Sequence, residues 1–329
     1  MSKNNINILV TGGAGYIGSH VCKELIQQGY NPIIFDKRLT QFPYLEENTI
    51  SVQGNILDTE HLTATLKEYK PEAVIHMAAS IAADESVFKP DEYFENNVTG
   101  TKSVLEAMIA SGIKNIIFSS TAAVYGMPEE DIVNEQSKTL PINPYGETKL
   151  TAENMIKDMA RSHNLNWITF RYFNAVGSDA QKDVGNTNKE PKNLLPIILQ
   201  VASDERATLN IYGSDYNTKD GTAIRDYVHV SDLATAHCKA LALLKTDHKN
   251  QIINLGSGTG YTVLEMVETA RKITAKEILI SMQDRRAGDP EKSIASVEKA
   301  QNILSWYAQN DLNTIMKDSW DWHLHQLNN

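Results

Sequence analysis

Tyr145 and Lys149 stand four residues apart in Asn143-Pro144-Tyr145-Gly146-Glu147-Thr148-Lys149, a spacing that puts both side chains on one face of a helix. A phenol with an ordinary pKa of about 10 is a poor base. A neighbouring ammonium, together with a positive nicotinamide ring, favours the phenolate. Such a tyrosine can take a proton from a hydroxyl while hydride leaves the same carbon. Taken alone, the pair fits an exposed helix face equally well. Its meaning changes because Thr11-Gly12-Gly13-Ala14-Gly15-Tyr16-Ile17-Gly18 lies upstream. Glycines at 12, 15 and 18 permit a tight turn, close approach of backbone to a pyrophosphate, and a helix N-terminus aimed at that charge. Asp36 then falls where a carboxylate holds a ribose 2′-hydroxyl. A carboxylate repels a 2′-phosphate, so Asp36 points to NAD. Lys37 and Arg38 follow directly; they either face solvent or serve the 2′-phosphate of NADP. A hydroxyl partner for the tyrosine is expected at the end of an earlier strand. Ser119, Ser120 and Thr121 are the three candidates, and each can instead bond its own backbone as a turn-former.

These residues need a scaffold, and the first half of the chain reads as one. Ile6 to Val10, Pro32 to Phe35, Ile50 to Gln53, Ala73 to Met77, Ile116 to Ser119 and Trp167 to Tyr172 are short apolar runs expected to be strands. Helical spacing occupies Tyr16–Gln28, which Gly29 is placed to end, and recurs near 58–69, 96–111 and 147–163. Strand–helix repetition with near-continuous apolar strands predicts an α/β fold, a doubly wound parallel sheet of the Rossmann type. The texture changes after Gly177. Ser178 to Pro191 is polar and reads as a long, functional loop. The expected division is a dinucleotide-binding domain over 1–177, with a return segment near 225–245 that rejoins the sheet around Tyr227–His229, and a smaller α/β substrate domain over 178–329.

Composition narrows the class. The 329 residues carry 31 Lys+Arg and 41 Asp+Glu, a net charge of −10, which disfavours a general nucleic-acid binder. Hydrophobic residues make up 41% and charged residues 22%, as in an ordinary globular protein. Cys22 and Cys238 are too few for a disulfide framework or a cysteine zinc site, and no metal is expected. No apolar run reaches the roughly 18 residues of a membrane span. Met1-Ser2-Lys3-Asn4-Asn5 leads straight toward the first strand, so no signal peptide and a cytoplasmic, reducing setting are expected.

Further motifs extend the pattern: Arg171-Tyr172-Phe173-Asn174-Ala175, Asn193-Leu194-Leu195-Pro196, Ile211-Tyr212-Gly213-Ser214-Asp215-Tyr216, Asp220-Gly221-Thr222-Ala223-Ile224-Arg225-Asp226-Tyr227-Val228-His229-Val230, Asn254-Leu255-Gly256-Ser257-Gly258-Thr259-Gly260 and Arg285-Arg286-Ala287-Gly288-Asp289-Pro290. With them the chain resembles the extended short-chain dehydrogenase/reductase family, and within it the UDP-sugar 4-epimerases, over nearly its whole length. The resemblance implies NAD-dependent epimerisation of UDP-galactose and UDP-glucose at C4. It implies Tyr145 as base, Lys149 as the lysine that tunes it, and Thr121 as the hydroxyl on the reacting sugar oxygen. On the cofactor side it implies Gly12, Gly15, Tyr16, Ile17, Gly18, Asp36, Asn55, Ile56, Ala78, Asn96, Ser119, Tyr145, Lys149 and Tyr172. On the UDP side it implies Asn174, Asn193, Leu194, Tyr212, Arg225 and Arg286, with Asp289 near the uridine ribose. Two guanidiniums suit a diphosphate because each offers a planar fork of donors; the competing expectation for each is an ion pair, with Asp226 or Asp289. The resemblance further implies a homodimer, through the helices near 96–111 and 147–163.

The chain departs from the family pattern around the adenosine half. Lys37-Arg38-Leu39-Thr40 replaces an Asn-rich stretch, Asn55 stands where an adenine-contacting Asp is usual, and Ala78-Ala79-Ser80-Ile81-Ala82 lacks a lysine found in some members. Thr121 is followed by Ala122 and Ala123 rather than the Asp-Glu of the 4,6-dehydratases. Pentose and uronate 4-epimerases are the alternative enzymes; a non-catalytic NAD sensor is the alternative outside catalysis, and it would be expected to lack Tyr145 or Lys149. In the family that the chain resembles, a small residue at the position where Ser293 falls admits an N-acetyl group at the sugar 2-position, so the resemblance implies some turnover of UDP-N-acetylglucosamine.

Overall fold

The computed structural model describes residues 6–40, 42–45, 49–246, 249–286 and 288–328. Residues 1–5 of the expected leaderless start, and Ala287 of the Arg-Arg motif, lie outside the described residues.

Seven parallel strands form the main sheet, in the order Gln251–Leu255, Asn166–Tyr172, Asn115–Thr121, Ala73–His76, Asn7–Thr11, Asn31–Asp36, Ile50–Gln53. Chain order reverses between Asn7–Thr11 and Ala73–His76, where Thr11 pairs with Phe35 on one side and His76 on the other. Ligands of such sheets bind at the carboxyl ends of the strands beside this reversal. The central strands are apolar on both faces because both faces are covered. Ile8 and Val10 point into one core with Val21, Leu25, Leu233, Ala240 and Trp306. Leu9 points into the other, with Phe35, Leu62, Leu105, Met108 and Ile156.

Local chemistry sets the helix limits. Tyr16–Gln27 stops where Gly29 turns to φ +84 and Tyr30 N–H donates to the Leu25 carbonyl at 2.9 Å, as a glycine C-terminal motif requires. Pro144–His163 begins three residues before its expected start. Pro144 occupies the first turn and the Asn143 side chain accepts from Gly146 N–H at 2.9 Å. The segment expected as one helix from 96 is interrupted. A π-turn over Glu95–Thr99 precedes the helix Gly100–Ser111. That wide turn delivers buried Asn97 to the loop after the fourth strand, where it bonds both Ser80 backbone groups and Thr148 Oγ1.

The return to the sheet differs from expectation. Tyr227–His229 pairs parallel with Asn174–Val176 in a smaller sheet, which also holds Gly260–Thr262, Lys292–Ala295 and Ile132–Val133. The strand that rejoins the main sheet is Gln251–Leu255, alongside Asn166–Tyr172. Its Ile252 to Leu255 run suits a buried edge. Ile224–His229 instead carries Arg225 and Asp226, whose partners lie in the smaller layer. A third core, with Ile198, Ile211, Val267 and Met316, supports that layer. Residues 177–193 carry no helix or strand, as expected of the polar loop. Lys23 ties the loop down, donating to Asp179, Gln181 and Asp183 at 2.7–2.8 Å.

Candidate active site

The glycine turn leaves the first strand and enters the first helix, as its spacing requires. Gly12 has φ +72, and a Cβ there would lie 2.7 Å from the Ala78 nitrogen. A Cβ on Gly18 would collide with the Gly12 carbonyl oxygen. Only glycine fits both positions. Gly15 is the residue before the helix and gives it no side-chain cap, so the first-turn N–H groups of Tyr16, Ile17 and Gly18 face outward. Asp36 closes the turn: its carboxylate accepts from Ala14 N–H and Arg38 N–H, each at 3.1 Å. This surface of bare backbone, helix terminus and carboxylate fits a dinucleotide, with the pyrophosphate on the turn and a ribose at Asp36. Ala78 is the wall behind Gly12. Lys37 is held by Asn96 Oδ1 at 3.0 Å, so one of the two basic residues after Asp36 already has a partner. Asn55 turns its side-chain oxygen to Leu57 N–H at 3.1 Å, and Ile56 is buried against Gly100.

The reactive cluster gathers at the carboxyl edge of two adjacent strands. Thr121 ends one and faces Tyr172 in register at the end of the next. The Tyr145 phenol lies close enough to the Thr121 side chain for that hydroxyl to pull its pKa down, and Thr121 Oγ1 accepts from Ala123 N–H at 3.1 Å. Thr121 therefore forms a local turn while its side chain stands beside the phenol. Ser120 belongs elsewhere: it donates to Glu153 Oε1 at 2.6 Å, inside a buried Arg171–Glu153 ion pair. Lys149 is 3% exposed and donates to the Ser119 carbonyl oxygen at 2.8 Å. Burial pushes its pKa down to about 7, opposed by Glu153. Tyr145 departs from the sequence expectation. Burial raises its phenol, with the Thr121 hydroxyl, rather than the Lys149 charge, pulling the other way. The ammonium is turned toward a carbonyl rather than the phenol.

The residues expected on the UDP side sit on the smaller layer. Arg225 Nη2 lies 3.3 Å from Asp289 Oδ1, one of the two ion pairs considered from sequence. Asp226 does something different. Buried, it accepts from Ser257, Gly258 and Ala295 N–H groups. Arg286 is exposed and stacks 3.7 Å over the Tyr212 ring, and the guanidinium there holds the Tyr212 phenol below its usual pKa. Ser293 pairs in register with Arg225. Asn174 is exposed opposite Tyr227. Asn193 precedes the helix Leu194–Ala202 with its side chain exposed and making no cap hydrogen bond, and Leu194 is half-buried in the first turn. The two sets are joined at Gly177, whose carbonyl accepts from the Tyr16 hydroxyl at 2.5 Å and whose Cα faces the His229 ring.

Four site-building residues escaped sequence reasoning. Ser86 accepts from Tyr145 N–H at 3.1 Å and Asn97 bonds the Thr148 hydroxyl, so both brace the start of the reactive helix. Asp226, next to Arg225 in sequence, suggested only an arginine partner. His237 accepts the Tyr172 hydroxyl at 2.7 Å. A lone histidine in an apolar helix gives no signal of such a position.

Residues 8–256 match the family described as NAD dependent epimerase/dehydratase. The chain belongs to the NAD-dependent epimerase/dehydratase family. Within it, the chain is 42% identical to the UDP-glucose 4-epimerase of Halalkalibacterium halodurans, over 96% of this chain and 95% of that one. Two solved epimerase structures superpose closely. UDP-glucose 4-epimerase from Stenotrophomonas maltophila, with bound NAD and formylated UDP-arabinopyranose, gives a TM-score of 0.94 at 37% identity, covering 98% of this chain and 99% of that one. The Brucella ovis enzyme in complex with NAD gives 0.92 at 41% identity, covering 96% and 98%. Rossmann architecture and NAD dependence belong to this epimerase as to its family. Among the described residues, no helix is long and apolar enough to cross a membrane.

Proposed function

We propose that the chain interconverts UDP-galactose and UDP-glucose by epimerisation at C4, with NAD as cofactor. The observation that carries this reading is the gathering of Tyr145, Thr121 and buried Lys149 at the strand edge next to a glycine turn built for a pyrophosphate. Bound NAD would supply the hydride acceptor and donor for C4. Gly12, Gly15, Tyr16, Ile17 and Gly18 cradle the pyrophosphate with backbone. Asp36 holds the adenosine ribose, and Asn55, Ile56, Ala78 and Asn96 line that half. Ser119, Lys149 and Tyr172 hold the other half. Tyr145 removes the proton from the sugar 4-hydroxyl, and Thr121 holds that oxygen. A positive charge near the phenol stabilises its anion and offsets the burial that raises it.

The 4-keto sugar then turns over within the site while its UDP handle stays held. Arg225 and Arg286 grip the diphosphate, and Asn174, Asn193, Leu194 and Tyr212 complete the handle's site. Asp289, now paired with Arg225, passes to the uridine ribose as the diphosphate takes its place. Tyr145 returns the proton to the C4 oxygen, and the hydride held by the cofactor would return to the opposite face of C4. The labour divides between residues 1–177, with the returning elements of the sheet, for NAD, and the remainder of 178–329 for UDP-sugar. The enzyme works as a homodimer in the cytoplasm. Light scattering on the purified chain checks the assembly, with a monomer at micromolar concentration as the contrary result.

The direct test is a turnover assay with UDP-galactose and no added cofactor, following UDP-glucose. Product is expected. Product that appears only with added NAD would keep the reaction and place a weakness in the adenosine half, where Asn55 and Lys37 stand. No product under either condition would overturn the reading and favour a pentose or uronate sugar. Ser293, beside Arg225, leaves room at the sugar 2-position, and UDP-N-acetylglucosamine is expected to turn over as well. Failure with that substrate, alongside success with the plain hexose, would withdraw the role of Ser293.

A further inference from the structure

His237 lies behind the reactive cluster, fully buried on the helix Val230–Leu243. Its Nδ1 is 2.8 Å from the Leu233 carbonyl oxygen. A carbonyl only accepts, so Nδ1 carries the hydrogen of a neutral ring and Nε2 presents a lone pair. Nε2 lies 2.7 Å from the Tyr172 hydroxyl. Tyr172 has one proton, and it goes to His237. The Tyr172 oxygen therefore accepts from Ser119 Oγ, 2.8 Å away. The proton of Ser119 is thereby committed as well. Direction runs one way along the chain, from Ser119 to Tyr172 to His237 to the Leu233 carbonyl. A cationic ring would reverse it, because both ring nitrogens would donate and Ser119 would be freed to donate too. Burial holds the ring neutral, with a pKa near 4.

The near end of this chain stands at the site. The Ser119 carbonyl holds Lys149, and Thr121, on the same face of the strand, stands beside Tyr145. We propose that His237 is a positioning residue: by fixing this polarity it makes the Ser119 hydroxyl a one-way acceptor for an N–H or O–H group on the nicotinamide-riboside half of NAD. The proposal rests on the NAD reading given above. It adds a residue that touches neither cofactor nor substrate but sets which hydrogen-bonding group the cofactor must present.

Three measurements test it. The ¹⁵N spectrum of histidine-labelled protein, without ligand, reads the tautomer directly. The Nδ1–H form of His237 is expected from pH 5 to 8; the Nε2–H form or an imidazolium would overturn the proposal. Calorimetric titration of protein first stripped of nucleotide, with NAD and separately with UDP, then compares two variants. His237→Leu removes the acceptor and is expected to weaken NAD about three- to tenfold, the worth of one hydrogen bond, with UDP affinity unchanged. His237→Gln keeps an amide oxygen for Tyr172 and is expected to stay within about twofold of the unaltered chain. Equal NAD affinity in both variants and the parent would overturn the proposal. So would parallel losses of NAD and UDP affinity with a lowered melting temperature, which mark a purely structural role. Tyr172→Phe removes the acceptor of the Ser119 proton while keeping the His237 ring, and is expected to match His237→Leu. If the stripped parent binds no NAD and the parent carries none when purified, the NAD reading fails first and takes this one with it.

Discussion

Tyr145 and Lys149 divide two jobs that the sequence assigned to one pair. Spacing placed both on one helical face, and that much was legible, because four residues along a helix return to the same side. The direction of the ammonium was not. Lys149 turns to the Ser119 carbonyl, and nothing in a four-residue interval shows which acceptor a flexible side chain will find. Tyr145→Phe is expected to lose about 10² to 10⁴ in rate, the contribution of one general base. Steady-state kinetics on UDP-galactose check this, and near-full activity would remove Tyr145 from the mechanism. Lys149→Met leaves the Ser119 carbonyl without its buried donor, so NAD content per purified chain should fall along with rate. A variant that keeps its NAD while losing only rate would confine Lys149 to tuning the phenol. The UDP-side residues were legible only by resemblance. Arg225, Asn174 and Asn193 carry no local pattern that separates a ligand contact from a surface group, and the Arg225–Asp289 pair shows how both readings can hold in turn.

At the scale of elements, the strands and helices of the first half followed from composition. β-branched runs ended by glycine, and apolar spacing ended by Gly29, are strong local signals. The returning strand was misplaced because two short apolar runs, Tyr227–His229 and Ile252–Leu255, look alike until their polar neighbours find partners. The π-turn at Glu95–Thr99 leaves no mark in the periodicity, since its residues are polar apart from Val98 and carry no apolar stripe whose phase could be read. The glycine turn is the element most exposed to a single change. Gly18→Ala drives a methyl into the Gly12 carbonyl oxygen, so the turn must shift where backbone has to approach the pyrophosphate. The variant is expected to purify without NAD and to be rescued poorly by added cofactor. Absorbance and fluorescence of bound nucleotide decide it, and a normal NAD complement would show that the turn yields more easily than its geometry indicates.

Over the whole molecule, burial of titratable groups sets a pH response. His20, His76 and His237 are all buried, and burial carries them down to about 4, 3 and 4. An unfolded chain binds protons at these sites from about pH 6.5 downward. Between pH 6.5 and these depressed values the unfolded state holds more protons than the folded one, so stability rises with pH there and is lost as pH falls. Each site contributes up to about 1.4 kcal/mol per pH unit in that window. Melting temperature should therefore drop between pH 7 and pH 5, where ordinary carboxylates are still mostly ionised. A flat curve over that range would mean that the imidazoles take up protons without unfolding.

The returning elements carry a consequence for synthesis on the ribosome. Val21 and Leu25 of the first helix are sealed by Leu233 and Ala240, and the sheet is finished by Gln251–Leu255. A nascent chain that has emerged through Gly177 has made every main-sheet strand except that one, yet the face that carries the first helix is only partly covered and the sheet's last edge is open. The dinucleotide half must wait, half-built, until Leu233, Ala240 and then Gln251–Leu255 have emerged. A chain released at residue 177 is expected to be retained by chaperones or to aggregate, whereas one released after Ala308, past Trp306, can close that face.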